Sequence, residues 1–94
     1  MHTKTVVVGS AVGLHARPAA LIAEAAADLG SDVTIGVPGG APVDASSALM
    51  IMTLGAGNGA SVEVSGEVEA DVETIAALVE QDLDAEDAPG AATV

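Results

Sequence analysis

The sequence predicts an α+β fold with the element order β-α-β-β-α-β-α, in which a four-stranded antiparallel sheet is covered on one face by three helices. Four short stretches alternate apolar and polar residues or are rich in β-branched residues, as strands with one buried face do. Three other stretches carry apolar residues at helical spacing or follow a helix-start signal. The sheet needs one face covered and the helices can cover it, so we expect the 94 residues to form one two-layer domain.

The first strand and the first helix are predicted from β-branching and from helical spacing. Residues 3–8, TKTVVV, are a β-branched run and predict a strand. Residues 16–29 predict a helix because one apolar stripe recurs at helical spacing: Ile22, Ala25, Ala26 and Leu29. Pro18 is tolerated only in the first turn and so fixes the start near residue 16, while Gly30 supplies the stop.

A hairpin and a short helix follow. Residues 32–37 alternate as a strand does, residues 38–40 (PGG) predict a turn, and residues 41–43 predict a short return strand. Two serines then precede the apolar run at residues 48–52, and a serine in that place is a helix N-cap signal. The run predicts a helix of one to two turns.

The last strand and helix are the clearest elements of the sequence. After a glycine-rich loop at residues 54–60, residues 61–67 alternate inward valines with outward polar residues and predict a strand. Residues 70–83 predict a helix with this apolar stripe: Val72, Ile75, Ala76, Val79 and Leu83. Beyond residue 84 the pattern stops. We therefore expect one domain at residues 1–84 and a disordered acidic tail at residues 85–94.

The composition limits the classes of protein and of site. The chain has no cysteine, which excludes disulfides and thiolate metal sites and is compatible with a reducing cytoplasm. No stretch approaches the roughly 18 consecutive apolar residues of a membrane span. The N-terminal stretch is too short and too weakly charged for a signal peptide. We therefore expect a cytoplasmic protein with no membrane insertion.

The net charge of −12 argues against nucleic acid and anionic membrane surfaces as partners. The charge is unevenly distributed, because ten of the fourteen carboxylates lie in residues 63–94, which contain no cation. Residues 1–62 carry four carboxylates together with Lys4 and Arg17. The surroundings of Arg17 are therefore compatible with a bound anion.

The stretch GLHARPAA, residues 13–20, combines the components of an anion site. It puts His15 at the N-cap of the predicted helix, where the first-turn N–H groups and the helix dipole favour negative charge. Pro18 has no N–H, so the amides of Ala16 and Arg17 are the expected donors, and the Arg17 guanidinium adds a forked pair. A neutral imidazole in such a phosphate site is itself a nucleophilic phosphoryl acceptor. The alternative is that His15 only caps the helix and Arg17 is a solvated surface residue.

Two motifs resemble those of a known family. The stretch GLHARPAA resembles the active-site signature of HPr, the histidine-containing phosphocarrier of the bacterial phosphoenolpyruvate:sugar phosphotransferase system. DASSALMIMTLGAGNG, residues 44–59, resembles the second signature of that family, around its regulatory serine. The order of elements also matches, and the resemblance spans residues 1–84. It implies the HPr fold, an open-faced β-sandwich.

The resemblance implies a phosphoryl carrier rather than an enzyme, with no cofactor. Enzyme I, charged by phosphoenolpyruvate, would phosphorylate His15, on Nδ1 in this family. His15 would then pass the group to the A components of sugar-specific enzyme II complexes during sugar uptake. Arg17 matches the arginine that interacts with the phosphoryl group. Ser47 matches the regulatory serine, because its distance to the Leu54-Gly55 pair is that of the family, so a serine kinase and transcriptional regulators are further candidate partners. We expect a monomer.

Docking is where the sequence departs from the family pattern. Family members commonly carry lysines on the helix after the active site and just before the regulatory serine, and these meet an acidic surface of enzyme I. Here Glu24 and Asp28 lie on that helix, and Ser46 takes the place before the serine. We therefore expect docking through apolar contacts, and the candidate residues are Ala20, Leu49, Met50 and Met52.

Two other classes of protein compete with the carrier hypothesis. Acyl-carrier-like proteins are small, acidic and modified on a serine at a helix start, which DASSAL superficially resembles. Those carriers are helical bundles, however, and at least three alternating β runs argue against that class. A regulatory HPr relative that binds transcription factors would lack the active histidine, whereas His15 is present. We assign His2 to a frayed terminus, and two histidines with scattered carboxylates predict no metal site.

Overall fold

The computed structural model describes residues 1–9 and 13–81. The predicted tail at residues 85–94 lies outside the described residues, as does Leu83. The predicted end of the last helix is wrong, because the helix stops at Glu80 and Gln81 has an extended backbone. In chain order the elements are β1 (His2–Val7), α1 (Ala16–Ala27), β2 (Val33–Gly36), β3 (Val43–Asp44), α2 (Ala48–Met52), β4 (Ser61–Gly66) and α3 (Glu69–Glu80). This is the predicted order of strands and helices.

The four strands form one antiparallel sheet with the order β1-β4-β2-β3. The central strand β4 pairs with β1 along its whole length, from His2 opposite Gly66 to Val7 opposite Ser61. Because successive side chains of a strand point to opposite faces, one face carries the buried side chains Val6, Val33, Ile35, Val62 and Val64. The opposite face carries mostly polar side chains of threonine, serine and glutamate. The predicted α+β fold with one covered sheet face is confirmed.

The core lies between the apolar face of the sheet and the helix layer. Helix α3 packs against β1 and β4, and α1 packs against α2 and α3. Branched aliphatic side chains fill the core, since the chain has no aromatic residue. The buried members include Val6, Val33, Ile35, Val62 and Val64 from the sheet and Ile22, Ile51, Val72, Ile75 and Val79 from the helices.

Helix α1 is shorter than predicted, and its buried face is shifted. It ends at Ala27, with Asp28 as the C-cap, so Leu29 lies outside it. Ala19 and Ala23 are buried, whereas Ala25 is only half-buried. The reason is that α1 packs against two other helices, which bury a face that the apolar stripe alone does not define.

Two further predictions are wrong in detail. The return strand is Val43–Asp44 rather than residues 41–43. Residues 41 and 42 stay in the hairpin loop, because Pro42 has no N–H to donate to the sheet. His2 is not frayed: it is the first residue of β1 and pairs with Gly66 of β4.

Candidate functional site

His15 is the N-cap of α1 and its side chain is exposed. Its Nδ1 accepts a hydrogen bond from the backbone N–H of Ala16 at 2.9 Å, and its carbonyl accepts the first helical bond, from the N–H of Ala19, at 2.9 Å. A neutral imidazole that accepts through Nδ1 carries its proton on Nε2. The geometry therefore places the lone-pair nitrogen at the N-terminus of the helix.

The first turn of α1 gathers the predicted anion-binding groups around this ring. Ala16 and Arg17 are the first two helical residues, both are exposed, and Pro18, the third, has no N–H. A 12-residue helix has a positive end at this point, and the Arg17 side chain starts in the same turn. The structure thus places Ala16 and Arg17 in the turn that His15 caps.

A second loop contacts the two residues that precede His15, and sequence reasoning missed this contact. Gly13 has φ +76°, and a Cβ built on it would lie 2.6 Å from the Ala56 carbonyl oxygen and 2.6 Å from Gly57 Cα. The N–H of Leu14 donates to the same Ala56 carbonyl at 2.9 Å, and the Leu14 side chain is buried. The signal was present in the glycines of residues 54–60, which permit such a close backbone approach.

The segment at residues 13–15 and the loop at residues 54–60 enclose a shallow depression of about 300 Å³ beside the imidazole. Its lining consists of Leu14, His15, Met52, Gly55, Ala56 and Gly57. Apart from the imidazole, the lining offers backbone and apolar side chains and no charged group. The depression can therefore accept an apolar part of another molecule next to the ring.

The two serines before α2 have different hydrogen-bond partners. Ser47 is the N-cap, and its hydroxyl accepts from the N–H of Met50 at 3.3 Å. Ser46 instead donates its N–H and its hydroxyl to Asp44 Oδ1, at 2.9 and 2.7 Å. These two hydrogen bonds hold the pKa of Asp44 below its usual value, because they stabilise the carboxylate. The spacing Asp-x-Ser is the sequence signal for this turn.

The predicted docking residues differ in exposure. Ala20 is exposed on α1, and Leu49 and Met50 are 69% and 41% exposed on α2. Met52 is half-buried, packs against the core and lines the depression beside His15. The packing of α1 against α2 puts these side chains on neighbouring elements.

Within residues 1–9 and 13–81, no group of three or more His, Cys, Asp or Glu side chains is placed to hold a metal ion. No helix in the same part of the chain is both long enough and apolar enough to cross a bilayer.

Comparison with known proteins places this geometry in a family. The family model described as "PTS HPr component phosphorylation site" matches residues 2–81. The chain is 40% identical over 87 residues to the phosphocarrier protein HPr of Streptomyces coelicolor, a match that covers 89% of this chain and 94% of the relative.

Solved structures agree with the family assignment. The crystal structure of HPr from Bacillus anthracis superposes with a TM-score of 0.77 at 36% identity, covering 83% of this chain and 95% of that one. The crystal structure of HPr-C-His from Thermoanaerobacter tengcongensis gives 0.76 at 32% identity, covering 85% and 92%. The chain belongs to the HPr family of phosphocarrier proteins. This membership gives it the role of a phosphoryl carrier in the phosphotransferase system.

Proposed function

We propose that His15 is the residue that carries the phosphoryl group, and that it receives the group on Nδ1 from enzyme I and passes it to the A components of sugar-specific enzyme II complexes. One observation carries this proposal: Nδ1 accepts the Ala16 N–H at 2.9 Å, so the lone pair of the neutral ring lies at the positive end of α1. Arg17 lies in the first turn of α1, directly after the N-cap His15, and its guanidinium can bind phosphoryl oxygens from there.

The transfer to His15 requires no proton to leave the ring. Nδ1 attacks the phosphorus as the bond between phosphorus and the donor's nucleophilic atom breaks, and the electron pair of that bond stays with the donor. The ring proton remains on Nε2 throughout. The charge on the phosphoryl oxygens in flight is stabilised by the guanidinium of Arg17 and by the amides of the first turn.

The Ala16 amide exchanges its partner in this step. In the free protein it donates to Nδ1, which loses its lone pair when it bonds to phosphorus. The same N–H then donates to a phosphoryl oxygen, so the N-cap hydrogen bond is replaced rather than lost. This exchange leaves the carrier with similar hydrogen bonding before and after phosphorylation, which suits a group that must be passed on.

The proposal makes the chain a stoichiometric carrier that acts as a monomer. It performs no net reaction of its own, because the group that arrives also leaves. The lack of cysteine is compatible with a reducing compartment, and we place the carrier in the cytoplasm. The exposed apolar side chains of Leu49 and Met50 and the small side chain of Ala20 form the contact surface for its protein partners.

We further propose Ser47 as the serine that a regulatory kinase would modify. Ser47 is half-buried and its hydroxyl accepts from the N–H of Met50, whereas the hydroxyl of Ser46 donates to Asp44. A phosphate on Ser47 would keep acceptor oxygens at the start of the helix. Peptide fragmentation of kinase-treated protein would test this assignment, because a phosphate on Ser46 would contradict it.

Intact-mass spectrometry tests the carrier role. The wild type, His15→Ala and His15→Asn are incubated with phosphoenolpyruvate and the enzyme I of the same organism. We expect one acid-labile phosphoryl group on the wild type and none on either variant. Asparagine can cap a helix, so His15→Asn separates loss of the acceptor from loss of the cap.

The matched control is His2→Ala, which removes the other histidine of the chain. This variant should be phosphorylated at the wild-type rate. A phosphoryl group that persists on His15→Ala would contradict the assignment. Failure of the folded wild type to accept any group would leave His15 as a helix cap.

A further inference from the structure

The chain contains a single asparagine, Asn58, and the residue that follows it is Gly59. Asparagine is chemically labile, and a following glycine favours its deamidation because no side chain shields the backbone nitrogen that attacks the amide. The chain has no other Asn-Gly pair and no Asp-Gly pair. Asn58 and Gly59 are both exposed, and Gly59 has φ +86°. The sequence and the exposure together make this pair a candidate for chemical modification.

Deamidation at this pair needs water and no other reagent. The backbone nitrogen of Gly59 loses its proton and attacks Cγ of Asn58, the bond from Cγ to Nδ2 breaks, and ammonia leaves. Water then opens the five-membered imide at either of its two carbonyl groups, which gives aspartate or isoaspartate at position 58. Either product replaces a neutral amide by a carboxylate.

A pair of backbone hydrogen bonds restrains the nitrogen that must attack. The N–H of Gly59 donates to the carbonyl of Val8 at 3.0 Å, and the N–H of Val8 donates to the carbonyl of Ala60 at 2.9 Å. Val8 is 1% exposed, so its side chain anchors this bridge in the core. A backbone proton held in such a bond is released when the bond opens, as in amide hydrogen exchange. The rate of deamidation should therefore follow the fraction of time that Gly59 spends apart from Val8.

The same asparagine joins its loop to the chain that leads to His15. The side-chain Nδ2 of Asn58 donates to the carbonyl of Gly9 at 3.4 Å. The loop at residues 54–60 also contacts Gly13 and lines the depression beside His15. A carboxylate at position 58 has no N–H to donate, so it repels the Gly9 carbonyl, and it adds negative charge to the loop that borders the site of a phosphoryl anion.

We propose that Asn58 is a deamidation site controlled by the hydrogen bond from Gly59 to Val8, and that its conversion to aspartate or isoaspartate slows phosphoryl transfer to His15. The modification itself goes beyond the proposed function and is independent of it. The effect on transfer rests on the proposed function. A sample of the protein thus loses carrier activity in proportion to the modified fraction.

Mass spectrometry of aged protein tests the modification. The wild type and Asn58→Gln are incubated in mildly alkaline buffer, with and without urea. We expect a gain of about one dalton on the wild type, located at position 58 by peptide fragmentation. Asn58→Gln should show none at that position, because glutamine must close a less favourable six-membered ring.

Comparison of folded and unfolded protein tests the control by Val8. The wild type should deamidate at least about tenfold faster in urea, and this ratio should match the protection of the Gly59 N–H in amide hydrogen exchange. Equal rates in the folded and the unfolded protein would contradict the role of that hydrogen bond. An unmodified Asn58 after long incubation in urea would overturn the whole proposal.

Transfer assays test the consequence for the carrier. Ion exchange separates the deamidated form by its added charge, and kcat/KM for phosphorylation by the enzyme I of the same organism is measured for this form, fresh wild type and Asn58→Asp. We expect the deamidated form and Asn58→Asp to be about two- to tenfold slower, the range that corresponds to loss of one hydrogen bond. Aged Asn58→Gln should keep the kcat/KM of its own fresh sample.

The matched control is Gln81→Glu, which makes the same change from amide to acid at the only other side-chain amide of the chain. Its kcat/KM should stay within about twofold of the wild type, because an isolated exposed charge contributes little. Transfer to the deamidated form at the wild-type rate would overturn the effect on the carrier. If fresh wild type accepts no phosphoryl group, the carrier role and the effect on transfer both fail, while a mass gain at Asn58 would still support the deamidation site.

Discussion

Gly13→Ala tests whether the contact between the two loops positions His15. The added Cβ would stand 2.6 Å from the Ala56 carbonyl oxygen, and a displacement of about 0.8 Å is needed to restore an ordinary 3.4 Å contact. The three nearest atoms that the methyl group meets, Ala56 O, Gly57 Cα and Gly57 C, all belong to the backbone, so no side chain can rotate away. The two loops must move apart or accept strain.

Two terms set the expected loss of stability. A non-glycine residue at φ +76° costs about 1–2 kcal/mol, and loss of the 2.9 Å hydrogen bond from Leu14 to Ala56 costs about 0.5–1.5 kcal/mol. We expect the free energy of unfolding to fall by about 1.5–3.5 kcal/mol. The free energy of unfolding of a small domain is commonly about 5–15 kcal/mol, so the variant should still fold.

The rate of phosphoryl transfer to Gly13→Ala should fall by more than the loss of stability accounts for. His15 lies two residues further along the chain, and a misplacement of about 1 Å can cost on the order of a hundredfold in rate. We expect kcat/KM for phosphorylation by enzyme I to fall about ten- to a hundredfold under conditions where the variant is folded. Urea unfolding followed by circular dichroism and rapid-quench transfer assays give the two quantities.

Gly30→Ala is the control, because a Cβ at Gly30 meets no atom within 4 Å and its φ is not positive. This variant should change the free energy of unfolding by less than about 1 kcal/mol and leave transfer unchanged. The reasoning is refuted if Gly13→Ala is within about 0.5 kcal/mol of the wild type and accepts the phosphoryl group at the same rate.

Four other variants probe α2 and the turn that leads into it. Because Ser46 lowers the folded-state pKa of Asp44, the ionised carboxylate contributes stability above about pH 4 that is lost as the pH falls through the folded-state pKa. Asp44→Asn should therefore cost stability at pH 7 and less at pH 3 in urea titrations, and an equal cost at both pH values would contradict this. Ser47→Ala removes a long N-cap bond of 3.3 Å and should cost about 0.5–1 kcal/mol in the same measurement; a change near zero would mean that water replaces the cap. Ile51→Ala, at a side chain that is 0% exposed, should cost about 2–5 kcal/mol, whereas Leu49→Ala, at 69% exposure, should cost less than about 0.5 kcal/mol; similar losses would show that the burial of this helix is misassigned.

The local part of the site was predictable from short stretches of sequence. Pro18 restricts the start of α1 to its own turn, which makes His15 the N-cap before any packing is considered. In the same way, the apolar run after Ser47 predicted the short helix α2. The alternation in residues 61–67 identified a half-buried strand, of which residues 61–66 form β4. Periodicity and proline geometry act over a few residues, so the sequence shows them directly.

The contacts between distant segments came only from the tertiary structure. Ser31 donates to Asp71 at 2.6 Å across 40 positions, although Asp71 falls outside the apolar stripe of its helix. The backbone of Ala56 holds the loop before His15, and the sheet order β1-β4-β2-β3 places the last strand in the centre. The elements and the position of His15 and its first-turn neighbours at the start of α1 were therefore determined by the sequence itself. Two features depend on how whole layers pack, which no local pattern encodes. They are the contact of the Ala56 backbone with the residues before His15 and the packing of α1 against α2.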